Sequence, residues 1–261
     1  MTLFFSIRSY LQFLWNSKNQ HGVHSPFVFD LVTKCFNDRA SKPEYATLRK
    51  YRNKLLQNKN SIEVTDFGAG SRVFKSNHRE ISKIAQTAGI SSKRAELLFR
   101  IVSYFQPNST LEIGTSLGLA TSALSLGNPK AKITTVEGCP ETSRIAQENF
   151  QKFNFKNIHT KVSDFETFLQ NHQLSIIHYQ LIYFDGNHSK DATLQYFDLL
   201  LPTITNETVW VFDDIHWSAA MTEAWEIIKK HPKVKVTIDT FQWGLVFFRS
   251  EQEKEHFVIR V

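Results

Sequence analysis

The rhythm of hydrophobic positions changes near residue 91. Before it, apolar residues cluster in short helical patches. Beyond it, to about residue 249, short apolar runs alternate regularly with amphipathic stretches. The first patch (Leu3, Phe4, Phe5, Ile7, Leu11, Phe13, Leu14, Trp15) predicts an amphipathic helix that packs on the body of the protein. His21-Gly-Val-His24-Ser-Pro26 breaks it. Helices are expected over 27–36 and 44–57, a short strand over 61–67, and a helix over 77–88 that ends at Gly89.

After residue 91 the elements are sharper. Ser92 caps a helix in which Ala95, Leu98, Phe99, Val102 and Phe105 recur at helical spacing, and Pro107 follows its end. Strands are predicted at 110–114, 132–137, 157–163, 179–185 and 208–213. Helices are predicted between them at 117–126, 140–153, 165–172 and 189–200. Met221, Ala224, Trp225 and Ile228 form one apolar stripe of a helix opened by Ser218 and closed before Pro232. Val234, Val236 and Ile238 alternate with polar residues, and Trp243–Phe248 follows after a short turn as an antiparallel hairpin partner. Alternating strands and helices imply a mostly parallel sheet covered on both faces. The expected fold is α/β: a Rossmann-like, seven-stranded, mostly parallel sheet over 91–261 with an antiparallel final hairpin. A mostly helical extension, residues 1–90, is expected to act as a lid or dimer surface.

Composition narrows the setting. The 261 residues are 41% hydrophobic, including 22 Phe, so a sizeable core can form, and a charged fraction of 21% is that of a globular protein. Two cysteines, Cys35 and Cys139, make no disulfide framework and fit a reducing, cytoplasmic setting. No apolar run approaches the roughly 20 residues of a membrane span, and Arg8 interrupts the apolar N-terminus without a cleavage site after it. The net charge of +6 leaves an anionic partner such as nucleic acid open. No dense Lys/Arg run supports one.

On a sheet of this kind ligands bind at the carboxyl ends of the strands. The 110–114 strand runs into Gly114-Thr115-Ser116-Leu117-Gly118, where glycine permits a sharp turn and the next helix offers free N–H groups. The next strand ends in Glu137, 23 residues after Gly114, where an acid can take both hydroxyls of a ribose. G-x-x-x-G differs from the G-x-G-x-x-G of dinucleotide sites and argues against NAD. Asp185-Gly-Asn-His188-Ser and Asp213-Asp214-Ile-His216-Trp217 close the next two strands. These carboxylates could present oxygens to one divalent cation, and either histidine could accept a proton.

Leu111-Glu112-Ile-Gly114-Thr115-Ser116-Leu-Gly118, followed by Val136-Glu137-Gly138, resembles the first two motifs of class I S-adenosylmethionine-dependent methyltransferases. The resemblance runs from about residue 93 to 249. It implies that Gly114–Gly118 wraps the methionine part of S-adenosylmethionine, that Glu137 binds the ribose, and that Ser163-Asp164 meets the adenine amine. Asp164 is also a natural N-cap for the helix that follows. The implied cofactor shell is Glu112, Gly114, Thr115, Ser116, Gly118, Glu137, Gly138, Ser163, Asp164 and Asp185. The acids at the ends of the fourth and fifth strands look like those of cation-dependent O-methyltransferases similar to the catechol and caffeoyl-CoA enzymes. That likeness implies Mg²⁺ or another divalent cation on Asp185, Asp213 and Asp214, although Asp213-Asp214 stands where that family often has Asp-Asn. The Asp-Gly-Asn-His-Ser run is similar to a segment of sugar and antibiotic-tailoring methyltransferases.

The expected function is therefore S-adenosylmethionine-dependent O-methylation of a small-molecule hydroxyl, with His188, Asp185 and His216 as catalytic candidates. An RNA or protein methyltransferase and a non-catalytic binding protein remain the alternatives. A homodimer is compatible with either. Asp66-Phe-Gly-Ala-Gly70 repeats the glycine pattern, but no acid-ended strand follows it at the required distance.

Overall fold

The computed structural model describes residues 3–65, 76–171 and 178–261, with the side chains of Leu3 and Phe4 excepted. Asp66–Gly70 lies outside the described residues, as does the last residue of the helix expected over 165–172. The N-terminal part contains α1 (Leu3–Asn16), α2 (Pro26–Leu31) continued by a wider π-turn (Val32–Phe36), α3 (Pro43–Gln57), β1 (Ser61–Glu63), β2 (His78–Glu80) and α4 (Ile81–Thr87). Then come α5 (Ser92–Phe105), β3 (Ser109–Ile113), α6 (Leu119–Gly127), β4 (Lys132–Glu137), α7 (Pro140–Lys152), β5 (Ile158–Val162), α8 (Phe165–Asn171) and β6 (Leu181–Phe184). The chain finishes with α9 (Lys190–Leu200), β7 (Val209–Asp213), α10 (Ala219–Lys230), β8 (Val236–Asp239), β9 (Trp243–Phe247) and β10 (Glu255–Val258).

The main sheet has eight strands in the order β10-β8-β9-β7-β6-β3-β4-β5. β9 pairs antiparallel with both β7 and β8, and every other pairing is parallel. The seven expected strands and the final hairpin are present. The eighth, β10, extends the edge beside β8, and a bridge from Ile259 to Lys18 ties it to the N-terminal segment. The helix expected over 77–88 begins only at Ile81. Residues 78–80 pair with 61–63 instead (Ile62 opposite Arg79), a tertiary contact that outweighs local propensity.

Strand alternation divides the core. Leu181, Tyr183, Val209 and Val211 face one layer with α3, α5 and α6, whereas Ile182, Phe184, Trp210 and Phe212 face the other with α9 and α10. The N-terminal part shares the first layer: Val28, Leu31, Tyr51 and Leu55 are buried in the same cluster as the sheet. α1 docks through Phe13 and Tyr10 on Phe241 and leaves Ile7, Leu11 and Trp15 exposed. No helix among the described residues is long and apolar enough to cross a membrane.

β3 is flanked by β4 on one side and β6 on the other, so the order of connection reverses there. The crevice beyond the carboxyl ends of β3 and β6 is the switch point where such sheets take ligands.

Candidate active site

At that switch point β3 leads into Gly114, whose φ is 102°. A Cβ there would run into the carbonyl of Asp185, so only glycine lets the loops after β3 and β6 meet. The Gly114 and Thr115 amides donate to Val136 O at 3.0 and 3.2 Å, which leaves the rest of the turn free to face the crevice. Gly118 caps α6 at φ 78°, packed under the Phe150 ring. Tyr51 of α3 fixes this turn from behind by donating to Leu117 O at 2.9 Å, with its ring among Phe150, Phe153 and Phe155. The sequence offered no signal for Tyr51, because its partner is 66 residues away.

Glu137 stands at the end of β4. The Ser116 amide donates to its Oε2 at 2.7 Å and the Cys139 amide to its Oε1 at 2.9 Å. Burial raises its carboxyl, and those two amides pull it back down. A cleft of about 180 Å³ opens here, bounded by Gly114, Ser116, Glu137, Gly138, Asp185 and Asn187 on the sheet side. Val64, Thr65, Arg79 and Ile84 of the N-terminal part close its other wall. The Thr65 amide points at Cys139 Sγ at 3.4 Å, which holds that wall against the loop after β4.

The other expected cofactor residues fall into two groups. Thr115 and Glu112 lie behind the turn rather than in the cleft. Glu112 is fully buried and accepts from Thr121 and Thr135, both at 2.5 Å, and Thr135 also meets Thr115 at 2.5 Å. Burial pushes its carboxyl up to about 8. Ser163 and Asp164 follow β5 at the rim. Asp164 caps α8 by accepting from the Thr167 amide at 2.8 Å, which lowers its carboxyl.

Asp185, His188, Asp213 and Asp214 gather at the ends of β6 and β7. His188 Nε2 is 3.7 Å from Asp185 Oδ1, and its ring lies 6.4 Å from that of Trp217. Asn187 and Asp214 have φ of 49° and 53°, left-handed turns that redirect the chain just past each strand. Asp185 is 18% exposed, yet burial and the neighbouring Asp213 carboxylate push its carboxyl well above the usual range. Asp213 is 4% exposed, and its oxygens are engaged by protein donors. Oδ1 takes the Arg94 guanidinium and, at 2.7 Å, the Asp214 amide; Oδ2 takes the Tyr183 hydroxyl at 3.0 Å. Arg94, from the first turn of α5, also lies over the Trp243 ring at 5.1 Å. Burial alone would lower its basicity, but the carboxylate beside it raises it further.

A hard divalent cation needs several oxygens aimed at one point. Asp213 already spends both of its oxygens on protein donors. Among the described residues no group of three or more His, Cys, Asp or Glu side chains is arranged to hold a metal ion. The donor set does not fit a divalent cation.

His216 is not brought to the cleft. Its Nε2 is 2.8 Å from Asp239 Oδ2 and its Nδ1 is 3.1 Å from Thr222 Oγ1. It lines a separate cavity of about 260 Å³ beneath α1, with Ser9, Gln12 and Glu226.

Comparison with known proteins agrees with this architecture. Residues 111–215 match the family model described as a methyltransferase domain. This stretch is similar to a methyltransferase domain. It contains the glycine turn, Glu137 and Asp185, which frame the cleft, and Asp213 behind them. An SAH-bound methyltransferase of Podospora anserina superposes with a TM-score of 0.61 at 14% identity, covering 87% of this chain and 97% of that one. The O-methyltransferase TomG of Streptomyces achromogenes, in complex with SAM, gives 0.57 at 13% identity, covering 84% and 95%. At such identities the likeness is one of fold. The release factor glutamine methyltransferase of Escherichia coli (strain K12) is 32% identical over 100 residues, which is 38% of this chain and 35% of that protein. The match thus spans about a third of the length of that curated relative. Arg94 and Tyr51, outside the matched stretch, reach into it through Asp213 and the Leu117 carbonyl.

Proposed function

We propose that the protein is an S-adenosylmethionine-dependent methyltransferase that methylates a hydroxyl of a small molecule. One observation carries the reading: the Glu137 carboxylate, with the glycine turn beside it, opens into the same cleft as Asp185. His188 Nε2 stands 3.7 Å from the Asp185 carboxylate. S-adenosylmethionine supplies the methyl group, carried on sulfur. Glu137 accepts from the ribose hydroxyls, and the Gly114–Gly118 turn receives the methionine part. His188 and Trp217 border the space left for the acceptor. During transfer the carbon–sulfur bond breaks, a carbon–oxygen bond forms, and the hydroxyl proton passes to His188. A phenol gives up its proton far more readily than an aliphatic alcohol, so a phenolic hydroxyl suits an imidazole base. The acceptor class is therefore phenolic. Holding the two reactants in line can supply up to about 7–11 kcal/mol in favourable systems.

Calorimetric titration with S-adenosylmethionine tests the site. Glu137→Ala removes two hydrogen bonds to a charged group, each worth about 1.5–3 kcal/mol, so affinity should fall by about 10²–10⁴-fold. An unchanged affinity in a folded variant would remove the assignment. The similarity to a release factor methyltransferase favours a protein amide as a second reading. Methyl label from S-adenosylmethionine appearing on protein, and not on a phenolic panel, would select it.

A further inference from the structure

We infer that Arg94 is a built-in cation that occupies the place a divalent metal takes between the acids at the ends of β6 and β7, so that this site works without one. The inference rests on the methyltransferase reading for its relevance, though not for its geometry. Three features carry it. Arg94 reaches Asp213 from α5, and 119 residues separate the two, so the contact is a property of the fold rather than of a local turn. The guanidinium is held on both sides, by the carboxylate at its edge and by the Trp243 ring across its face at 5.1 Å. Both carboxylate oxygens already accept from protein donors, Oδ1 from Arg94 and the Asp214 amide and Oδ2 from Tyr183.

Arg94 is also out of place for its helix. A cation in the first turn opposes the positive end of the helix dipole. The first turn of α5 contains no acidic residue to offset it. Its compensation lies across the domain, in Asp213. A divalent ion entering beside this guanidinium would meet like charge at contact range. Arg94 is thus a positioning residue. It fixes Asp213, and through it the floor on which Asp185 rests.

Mn²⁺ binding reads the inference without turnover. Free Mn²⁺ is followed by its electron paramagnetic resonance signal in the presence of the purified full chain. The wild-type protein should leave the signal of free Mn²⁺ unchanged. Arg94→Met, which keeps length and removes charge, should bind Mn²⁺ at least about tenfold more tightly, the scale expected when an adjacent cation is removed. Arg94→Lys should stay as silent as wild type. Breaking a buried pair is strongly destabilising, so circular dichroism accompanies each variant. If Arg94→Met does not fold, the wild-type measurement decides: no binding supports the inference. Stoichiometric Mn²⁺ binding by the wild type that Asp213→Asn abolishes would overturn it. A folded Arg94→Met with no gain in affinity would overturn it as well. The S-adenosylmethionine titration is a separate measurement, so failure of the cofactor reading shows there and not here.

Discussion

Replacing Glu112 by Gln should make the protein more stable at alkaline pH while leaving it nearly unchanged at acid pH. Glu112 is 0% exposed on β3, with Oε2 accepting from Thr121 and Thr135 and Oε1 without a partner. Burial is the main reason its carboxyl is raised from the usual 4.5 to about 8; the threonine hydroxyls act against this, and Glu137 adds to it. A raised value in the folded state means that folding favours the neutral acid. The contribution to stability is therefore complete below about pH 4.5, declines as pH rises, and is lost by about pH 8. At 1.36 kcal/mol per pH unit, the span sets an upper bound of about 5 kcal/mol. Water penetration and relaxation reduce that, so a difference of about 2–4 kcal/mol is expected. Gln has the shape of the neutral acid and does not titrate. Urea denaturation of wild type and Glu112→Gln at about pH 5, 6, 7 and 8.5 isolates the effect, because the other titrating groups are common to both proteins. The stability difference, variant minus wild type, should rise steadily through that window. A difference that stays constant to within about 0.5 kcal/mol, the scatter of unrelated surface substitutions, would refute the reasoning. So would a variant destabilised equally at every pH.

Two further substitutions separate the cofactor side of the cleft from the acceptor side. His188→Ala should lower kcat by about 10²–10⁴-fold, the usual contribution of a positioned base, with S-adenosylmethionine affinity unchanged by calorimetry; loss of affinity instead would move His188 into the cofactor site. Tyr51→Phe leaves the buried Leu117 carbonyl without its donor. It should cost about 1–3 kcal/mol in urea denaturation and weaken S-adenosylmethionine binding through the glycine turn, whereas full stability would mean the turn holds without α3.

The parts legible in the sequence are those whose signal is local. A helix stripe such as Met221-Ala224-Trp225-Ile228 declares its buried face by spacing alone, and all four residues are buried on α10. Gly114 was legible because a positive φ at a strand end leaves few alternatives to glycine. β10 was not. Only Phe257 of its four residues is buried, so it lacks the alternation of a sheet strand and owes its place to pairing with β8. β2 fails for the same reason, since Arg79 enters a strand only because Ile62 lies opposite. His216 shows the opposite error. Its position two residues past Asp214 suggested a catalytic role, but the left-handed turn at Asp214 buries Ile215 and turns His216 towards Asp239.

The Arg94–Asp213 contact escaped the sequence for a reason that also explains its arrangement. A cation in the first turn of α5 is unfavourable by itself, and a carboxylate buried at the end of β7 is unfavourable by itself. Taken singly, Arg94 reads as a surface residue and Asp213 as a metal ligand. Each becomes tolerable only through the other, and their contact is invisible until α5 is laid against the sheet. The pair then fixes the local charge. Asp213 is neutralised by Arg94 inside the protein, while Asp185 lines the cleft with His188 beside it. On the proposed function, a site whose cation is supplied by the chain leaves proton removal from the acceptor to His188 and to the acidity of the acceptor itself. That is the physical link between the Arg94–Asp213 contact and a phenolic rather than an aliphatic hydroxyl.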